Sequence, residues 1–99
     1  MGIDRLEYHE GAIADVRNAV AWYQEHSPKA ASDFIEELHR AAGAIREAPE
    51  RWPKGKNNTR RFLLWRFPFT VIYSEHESVV TIWAVAHGSR RPGYWLSRI

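Results

Sequence analysis

The sequence predicts an α+β fold of order β-α-α-β-β-β, in which a helical hairpin packs on one side of an antiparallel sheet. Two amphipathic helical stretches joined by a very short link predict the hairpin, because helices so connected lie antiparallel. Three strand-like stretches with short links predict an antiparallel meander, since a parallel crossover needs about a dozen residues or more. At 99 residues, the chain is expected to be one domain over residues 1–99.

The first strand and first helix are predicted from periodicity. Apolar and polar residues alternate over residues 3–8, which indicates a short strand. Residues 11–26 are predicted to be helical, because apolar side chains recur there at helical spacing. The predicted apolar stripe of this helix is Ile13, Val16, Val20 and Tyr23.

The second helix is predicted to run from Pro28 to about Ala48. Ser27 can cap its free N–H groups, and Pro28 suits the first helical position. Pro49 disfavours helical geometry at Ala48 and ends the helix. The predicted apolar stripe is Ala31, Phe34, Ile35, Leu38, Ala41, Ala42 and Ile45.

Two prolines, a glycine and an asparagine pair predict a loop over residues 49–59. Strands are then predicted over residues 60–66, 69–75 and 78–86, with a turn at 75–78. The continuous apolar runs Phe62–Trp65 and Val79–Ala86 predict burial on much of both strand faces. Trp65 and Trp83 are therefore expected in the core, whereas Trp52 either packs under its loop or contacts a partner.

The net charge of +2 conceals two unlike halves of the chain. Residues 1–50 have a balance of −5, and residues 51–99 a balance of +7. This asymmetry indicates either a face that meets nucleic acid or an acidic protein, or two halves that neutralise each other when folded.

Composition excludes several kinds of chemistry. Without cysteine there are no disulfides and no thiolate or zinc-thiolate sites, which permits a cytoplasmic location. The histidines His9, His26, His39 and His76 show no metal-ligand spacing, so no metal and no cofactor are expected. No apolar run reaches the length of a membrane span, and the N-terminus is too polar for a signal peptide, so no membrane partner is expected.

Residues 86–98 are the most informative stretch, because arginines alternate there with aromatic residues. Such a surface suits phosphates and stacked bases; alternatively, the aromatics fold back on the sheet and the arginines are solvated. We expect Trp95 to pack on the sheet and fix the residues before it, and Arg90 and Arg91 to contact a partner. Trp22 either completes the core or anchors a partner helix. The candidate partner-binding residues are Trp22, Arg60, Arg61, Arg90, Arg91 and Trp95.

The sequence resembles the RelE/ParE superfamily of toxins from type II toxin–antitoxin systems, and within it the ParE-like plasmid-stabilisation branch. The resemblance runs along most of the chain. It includes Arg61, which matches an arginine that opens a family strand, FPFTVIY at 67–73 and VAHGSRRPGYWLSR at 85–98. The helices match at Ala12, Val16, Tyr23, Ala31, Phe34, Leu38, Ile45 and Pro49.

The resemblance implies a bacterial, cytoplasmic, growth-inhibiting toxin that a cognate antitoxin with an acidic segment neutralises. ParE-like members poison DNA gyrase and are not hydrolases, whereas RelE-like members cut messenger RNA on the ribosome. We take gyrase as the target. The alternatives are a ribosome-dependent endoribonuclease and a degenerate member that binds antitoxin without toxicity.

For the nuclease alternative, the resemblance implies a site around the RNA phosphate formed by Arg61, His87, Arg90 and Tyr94. Two departures from the nuclease pattern favour gyrase instead. Thr70 stands where the nuclease branch typically has an arginine, and a threonine cannot stabilise phosphate charge as a guanidinium does. A second family arginine aligns near Ser89, where Arg90 could substitute for it with a shift of one residue.

Overall fold

A computed structural model describes residues 2–99, and the order of its elements confirms the predicted β-α-α-β-β-β fold. The helices and strands are β1 (Arg5–Tyr8), α1 (Glu10–His26), α2 (Pro28–Glu47), β2 (Arg60–Leu63), β3 (Phe69–His76) and β4 (Val79–His87). Short 3₁₀ turns lie at Pro49–Arg51, Lys56–Asn58 and Leu96–Arg98. No helix within residues 2–99 is both long and apolar enough to cross a membrane.

A single residue, Ser27, joins the two helices. Its backbone N–H donates to the carbonyl of Tyr23 and closes α1, while its Oγ accepts from the N–H of Ala30 at 3.2 Å and begins α2. Pro28 occupies the first turn, as predicted. Since the link is so short, α2 runs back along α1 and forms the predicted hairpin.

The sheet has the order β1-β4-β3-β2. Pairing of β2 with β3 and of β3 with β4 is antiparallel, which confirms the predicted meander. Pairing of β1 with β4 is parallel, so the sheet as a whole is mixed and not purely antiparallel. The reason is connectivity: two helices separate β1 from the meander and let the chain return in the same direction beside the free edge of β4.

The core lies between the helical hairpin and one face of the sheet. Its fully buried side chains include Phe34, Ile45, Val71, Tyr73, Val80, Ile82 and Val85. The hydroxyl of Tyr73 donates to the carbonyl of Pro49 at 2.5 Å, which satisfies its polar end. A second cluster, formed by Ile72, Ala84 and Trp95, covers the opposite face of the sheet.

The predicted second strand, over residues 60–66, extends too far, because β2 ends at Leu63. Leu63 and Trp65 are 68% and 90% exposed, whereas Leu64 is buried, so the prediction of burial on both faces of Phe62–Trp65 and the core position of Trp65 are wrong. Two physical reasons account for this. Strand β2 is an edge strand, and beyond it the carboxylate of Glu37 accepts the backbone N–H groups of Trp65 and Arg66 in place of a strand partner.

The structure also defines the positions of the other strand tryptophan, Trp83, and of the loop tryptophan, Trp52. Trp83 is half-buried in β4 and belongs to neither core cluster, so its expected core position is wrong; its Nε1 donates to Ser74 Oγ at 2.9 Å. No residue of Val79–Ala86 is exposed, in agreement with the prediction for this strand. Trp52 packs against Phe62 with 4.7 Å between ring centroids, so it lies under its loop.

The buried faces of the helices differ from the predicted stripes, because two stripe residues are exposed and four buried residues, Ala12, Asp15, Ala19 and Glu37, lie outside the stripes. Ile13 is 39% and Ile35 51% exposed, whereas Asp15 is only 7% exposed. The buried face of α1 is centred on Ala12, Asp15 and Ala19. Small alanine side chains allow α1 to approach β4 closely, and Asp15 is buried because it has specific hydrogen-bond partners there.

Candidate partner-binding site

The site is built on the edge of β4 that β1 leaves uncovered. Strand β1 ends at Tyr8, whose register partner is Ile82, so the following residues of β4 face no strand on that side. Side chains replace the missing strand there. The N–H of Val85 donates to Asp15 Oδ2 at 3.1 Å, and the carbonyl of Trp83 accepts from Arg98 Nη1 at 2.9 Å. Because unpaired buried backbone groups are costly, this edge requires both side chains.

Asp15 and Arg98 form a nearly buried ion pair. Arg98 Nη1 lies 2.8 Å from Asp15 Oδ2, and Arg98 Nη2 lies 3.3 Å from Asp15 Oδ1. The side chain of Arg98 is 17% exposed and that of Asp15 is 5% exposed. The hydrogen bond to Asp15 raises the pKa of the Arg98 guanidinium further. A Cβ at Gly11 would collide with this guanidinium, so glycine is required for its close approach to α1. The ion pair therefore holds residues 88–99, here named the C-terminal segment, against α1.

Tyr94 extends this network to Arg90. Its hydroxyl donates to Asp15 Oδ2 at 3.0 Å. The guanidinium carbon of Arg90 lies 3.8 Å from the centroid of the Tyr94 ring, a cation–π contact. Since Asp15 fixes the ring of Tyr94, it also fixes the surface on which Arg90 rests. Within residues 2–99, no carboxylate lies within 4.0 Å of the charged groups of Arg90 or Arg91.

Arg90 lines a cleft of about 640 Å³ between α1 and the end of β4, here named the α1 cleft. Helix α1 contributes Asn18, Trp22 and Tyr23 to it, and the opposite side carries His87, Ser89 and Arg90. Ala19, Phe69 and Val85 supply apolar surface. Trp22 is 55% exposed and stacks on His26 at 3.8 Å between centroids, so it does not complete the core.

His87 presents a hydrogen-bond donor at this cleft. Its Nδ1 accepts from the backbone N–H of Ser89 at 2.9 Å, and an amide can only donate. In the neutral imidazole the proton is therefore assigned to Nε2. The ring lies edge-on to Phe69, 5.0 Å away, which holds its orientation.

The remaining sequence-predicted residues lie outside the α1 cleft. Arg61 borders a separate groove with Lys54, Lys56 and Trp95, on the sheet face that the C-terminal segment covers. Arg60 donates to the carbonyls of Glu50 and Trp52, so it holds the loop. Trp95 is 8% exposed against Ile72 and Ala84 and packs on the sheet as expected.

The four candidate nuclease residues are thus not assembled around one point. His87 and Arg90 share the α1 cleft, but Arg61 borders the other groove, and the hydroxyl of Tyr94 is bonded to a carboxylate. Within residues 2–99, no three acidic or histidine side chains are grouped to hold a metal ion. Sequence reasoning missed Asp15, although Ala12, Asp15 and Ala19 share a helical face at i, i+3 and i+7.

The environment of Tyr94 predicts a pH dependence of stability. Burial, with the charge and hydrogen bond of Asp15, raises the pKa of Tyr94 from 10.0 to about 12. Between these values the folded protein keeps a proton that the unfolded chain has lost. This contribution to stability is therefore complete below pH 10 and disappears by about pH 12. In urea titrations, the midpoint of the unmutated protein is expected to fall more steeply across this range than that of Tyr94→Phe.

A residual decline in the variant is expected, because burial also raises the pKa of Tyr8, Tyr23 and Tyr73. Parallel midpoint curves for the two proteins would contradict the assigned environment of Tyr94.

Comparison with known proteins identifies the family of this chain. The family described as ParE toxin of type II toxin-antitoxin system, parDE, matches residues 6–92. A search of curated proteins found no match. Among solved structures, one from the "Chromosomal ParDE TA system from P. aeruginosa" is similar with a TM-score of 0.75 and 16% identity, over 86% of this chain and 96% of that chain. That structural likeness supports the fold, and the family match covers both helices, β2 to β4 and most of β1: the chain belongs to the ParE toxins of type II toxin–antitoxin systems.

Proposed function

We propose that this chain is a growth-inhibiting toxin that acts in the cytoplasm by binding DNA gyrase, and that a cognate antitoxin neutralises it. Membership of the ParE family implies an antitoxin partner. Gyrase is the target that the resemblance to ParE-like toxins implies. The whole chain, residues 1–99, acts as one toxin domain in this proposal.

The environment of Tyr94 is the observation that favours a toxin that binds its target over one that cleaves RNA. Cleavage of RNA without a metal needs a group that activates the 2′-hydroxyl, cations for the phosphate and an acid for the leaving oxygen. The hydroxyl of Tyr94 donates a hydrogen bond to Asp15, and with a pKa of about 12 Tyr94 is a poor acid or base near neutral pH. Without Tyr94 and Arg61, the α1 cleft retains only His87 and Arg90 of the four candidates.

The test compares two double variants in cells that express the chain inducibly. His87→Ala with Tyr94→Phe removes the two candidate acid–base groups, and we expect it to keep much of the toxicity. Arg90→Ala with Arg91→Ala removes two cations that form no ion pair within residues 2–99, and we expect it to weaken toxicity more. The purified unmutated chain should inhibit gyrase supercoiling, and primer extension should find no cleaved transcripts.

Each alternative gives a different result. Loss of a catalytic acid–base group costs about 10²–10⁴ in rate. A nuclease would therefore become harmless in the His87→Ala, Tyr94→Phe variant while still folding, and the unmutated chain would cleave transcripts. A degenerate member would bind antitoxin but never slow growth.

A further inference from the structure

We propose that the α1 cleft binds an acidic segment of the antitoxin, with a carboxylate on Arg90 and His87 and a bulky apolar side chain against Trp22. The inference rests on the proposed function for the existence of an antitoxin. It adds the place of contact and the chemistry of the bound segment.

The polar side of the cleft is a set of hydrogen-bond donors. The cation–π contact of Arg90 with Tyr94 uses none of the guanidinium N–H groups as hydrogen-bond donors, so these remain available for a carboxylate. His87 adds its Nε2–H, because Nδ1 is occupied by the N–H of Ser89. The one carboxylate that lines the cleft, Asp15, is already bonded to Val85, Tyr94 and Arg98. The charge left unpaired in the cleft is therefore positive, which favours an anion.

The apolar side of the cleft is built around Trp22. The ring stacks on His26, and His26 Nδ1 is hydrogen-bonded to the carbonyl of Trp22 at 2.7 Å, so both rings are held on the helix. Tyr23 meets Trp22 edge-on at 5.3 Å. An exposed aromatic ring that is already oriented loses little side-chain entropy on binding, and such residues are common binding hot spots.

Size and charge together indicate a protein segment as the occupant. The volume of the α1 cleft, about 640 Å³, lies within the usual range for sites that enclose a small ligand. The cleft therefore has room for a few side chains of a partner. A nucleic acid strand presents a regular row of phosphates and is bound by cations that follow it. This cleft instead offers Arg90 as its single guanidinium beside an apolar surface. An acidic residue near a large apolar residue, on one helix or strand, matches that arrangement.

The test measures the Kd for the protein encoded beside this chain by titration calorimetry. Arg90→Glu is expected to weaken binding about 100-fold, because it places a second negative charge against the bound carboxylate. Trp22→Ala is expected to weaken it about 30-fold, the size of a hot-spot loss. Arg17→Glu changes the net charge equally at an exposed position of α1 outside the cleft, and Ile35→Ala removes an apolar side chain of similar exposure on α2. Both controls should change Kd by less than about threefold.

A charge-swap series tests the carboxylate contact itself. Each acidic residue of the partner is changed to lysine in turn, and one of these variants should restore binding to Arg90→Glu but not to Trp22→Ala. Circular dichroism melts confirm that the Arg90 and Trp22 variants remain folded. If Arg90→Glu unfolds, Arg90→Gln replaces it, with an expected loss of about tenfold.

The outcomes separate the site from the function. Equal Kd values for all variants would overturn the site and leave the antitoxin pairing intact. Failure of the unmutated chain to bind its neighbour would overturn the pairing, and the site with it. If Arg90→Glu and Trp22→Ala keep antitoxin affinity but lose binding to a labelled 20-nucleotide RNA, the cleft is a nucleic-acid site and the proposal is wrong.

Discussion

Replacement of Asp15 by alanine is expected to lower the free energy of unfolding by about 3–5 kcal/mol. The substitution leaves the guanidinium of Arg98 largely buried without its counter-charge, and it leaves the N–H of Val85 without an acceptor. It also frees the hydroxyl of Tyr94. Urea unfolding followed by circular dichroism measures the loss. At about 4–8 °C per kcal/mol for a domain of this size, Tm should fall by at least about 12 °C.

The matched control for this substitution is Glu36→Ala on α2. Glu36 lies 3.8 Å from Arg40, with both side chains more than 60% exposed, so this ion pair should contribute less than about 0.5 kcal/mol. Arg98→Met in the Asp15→Ala background should cost less than in the unmutated protein, because the two residues act as one pair. If Asp15→Ala is no worse than Glu36→Ala, the C-terminal segment is not held by this pair.

Trp95→Ala is the second substitution with a large expected effect, a loss of about 3–5 kcal/mol. Trp95 is 8% exposed and fills the second cluster with Ile72 and Ala84, so its removal leaves a cavity on the outer face of the sheet. Because Trp95 follows directly after Tyr94, the variant should also lose toxicity as the Arg90–Tyr94 stretch loosens. Thermal melts and growth assays measure the two effects together.

Trp65→Ala provides the control for the loss of an indole ring. Trp65 is 90% exposed, so its removal should leave Tm within a few degrees of the unmutated value. Trp95→Phe should recover part of the stability, since it restores most of the apolar volume. An unchanged Tm with lost toxicity in Trp95→Ala would instead make Trp95 a contact residue for the target.

Much of the fold was predictable, because its signals are local. The junction at Ser27-Pro28 and the short links of the meander each depend on residues close in sequence. The extent of β2 was not predictable in this way. Its end after Leu63 depends on Glu37, which lies 28 residues before Trp65 and occupies its backbone N–H.

The candidate site was predictable only in part, for the same reason. The C-terminal arginines and aromatics stand out in the sequence, and Arg90, His87 and Trp22 do meet in one cleft. Their convergence required α1 to pack across β4, which no local pattern shows. Arg61 was grouped with them from the resemblance, yet the sheet places it at a different groove.

The sequence by itself determined the order of the elements, the helical hairpin and the unusual character of residues 86–98, because periodicity, capping and charge depend on neighbours in the chain. The tertiary structure alone decided that β1 joins β4 in parallel and that Asp15 is buried. Asp15 meets Arg98 across 83 residues of sequence because β4 has an uncovered edge whose backbone groups need partners. That requirement exists only after the sheet has formed, and it determines where Tyr94 and Arg90 lie.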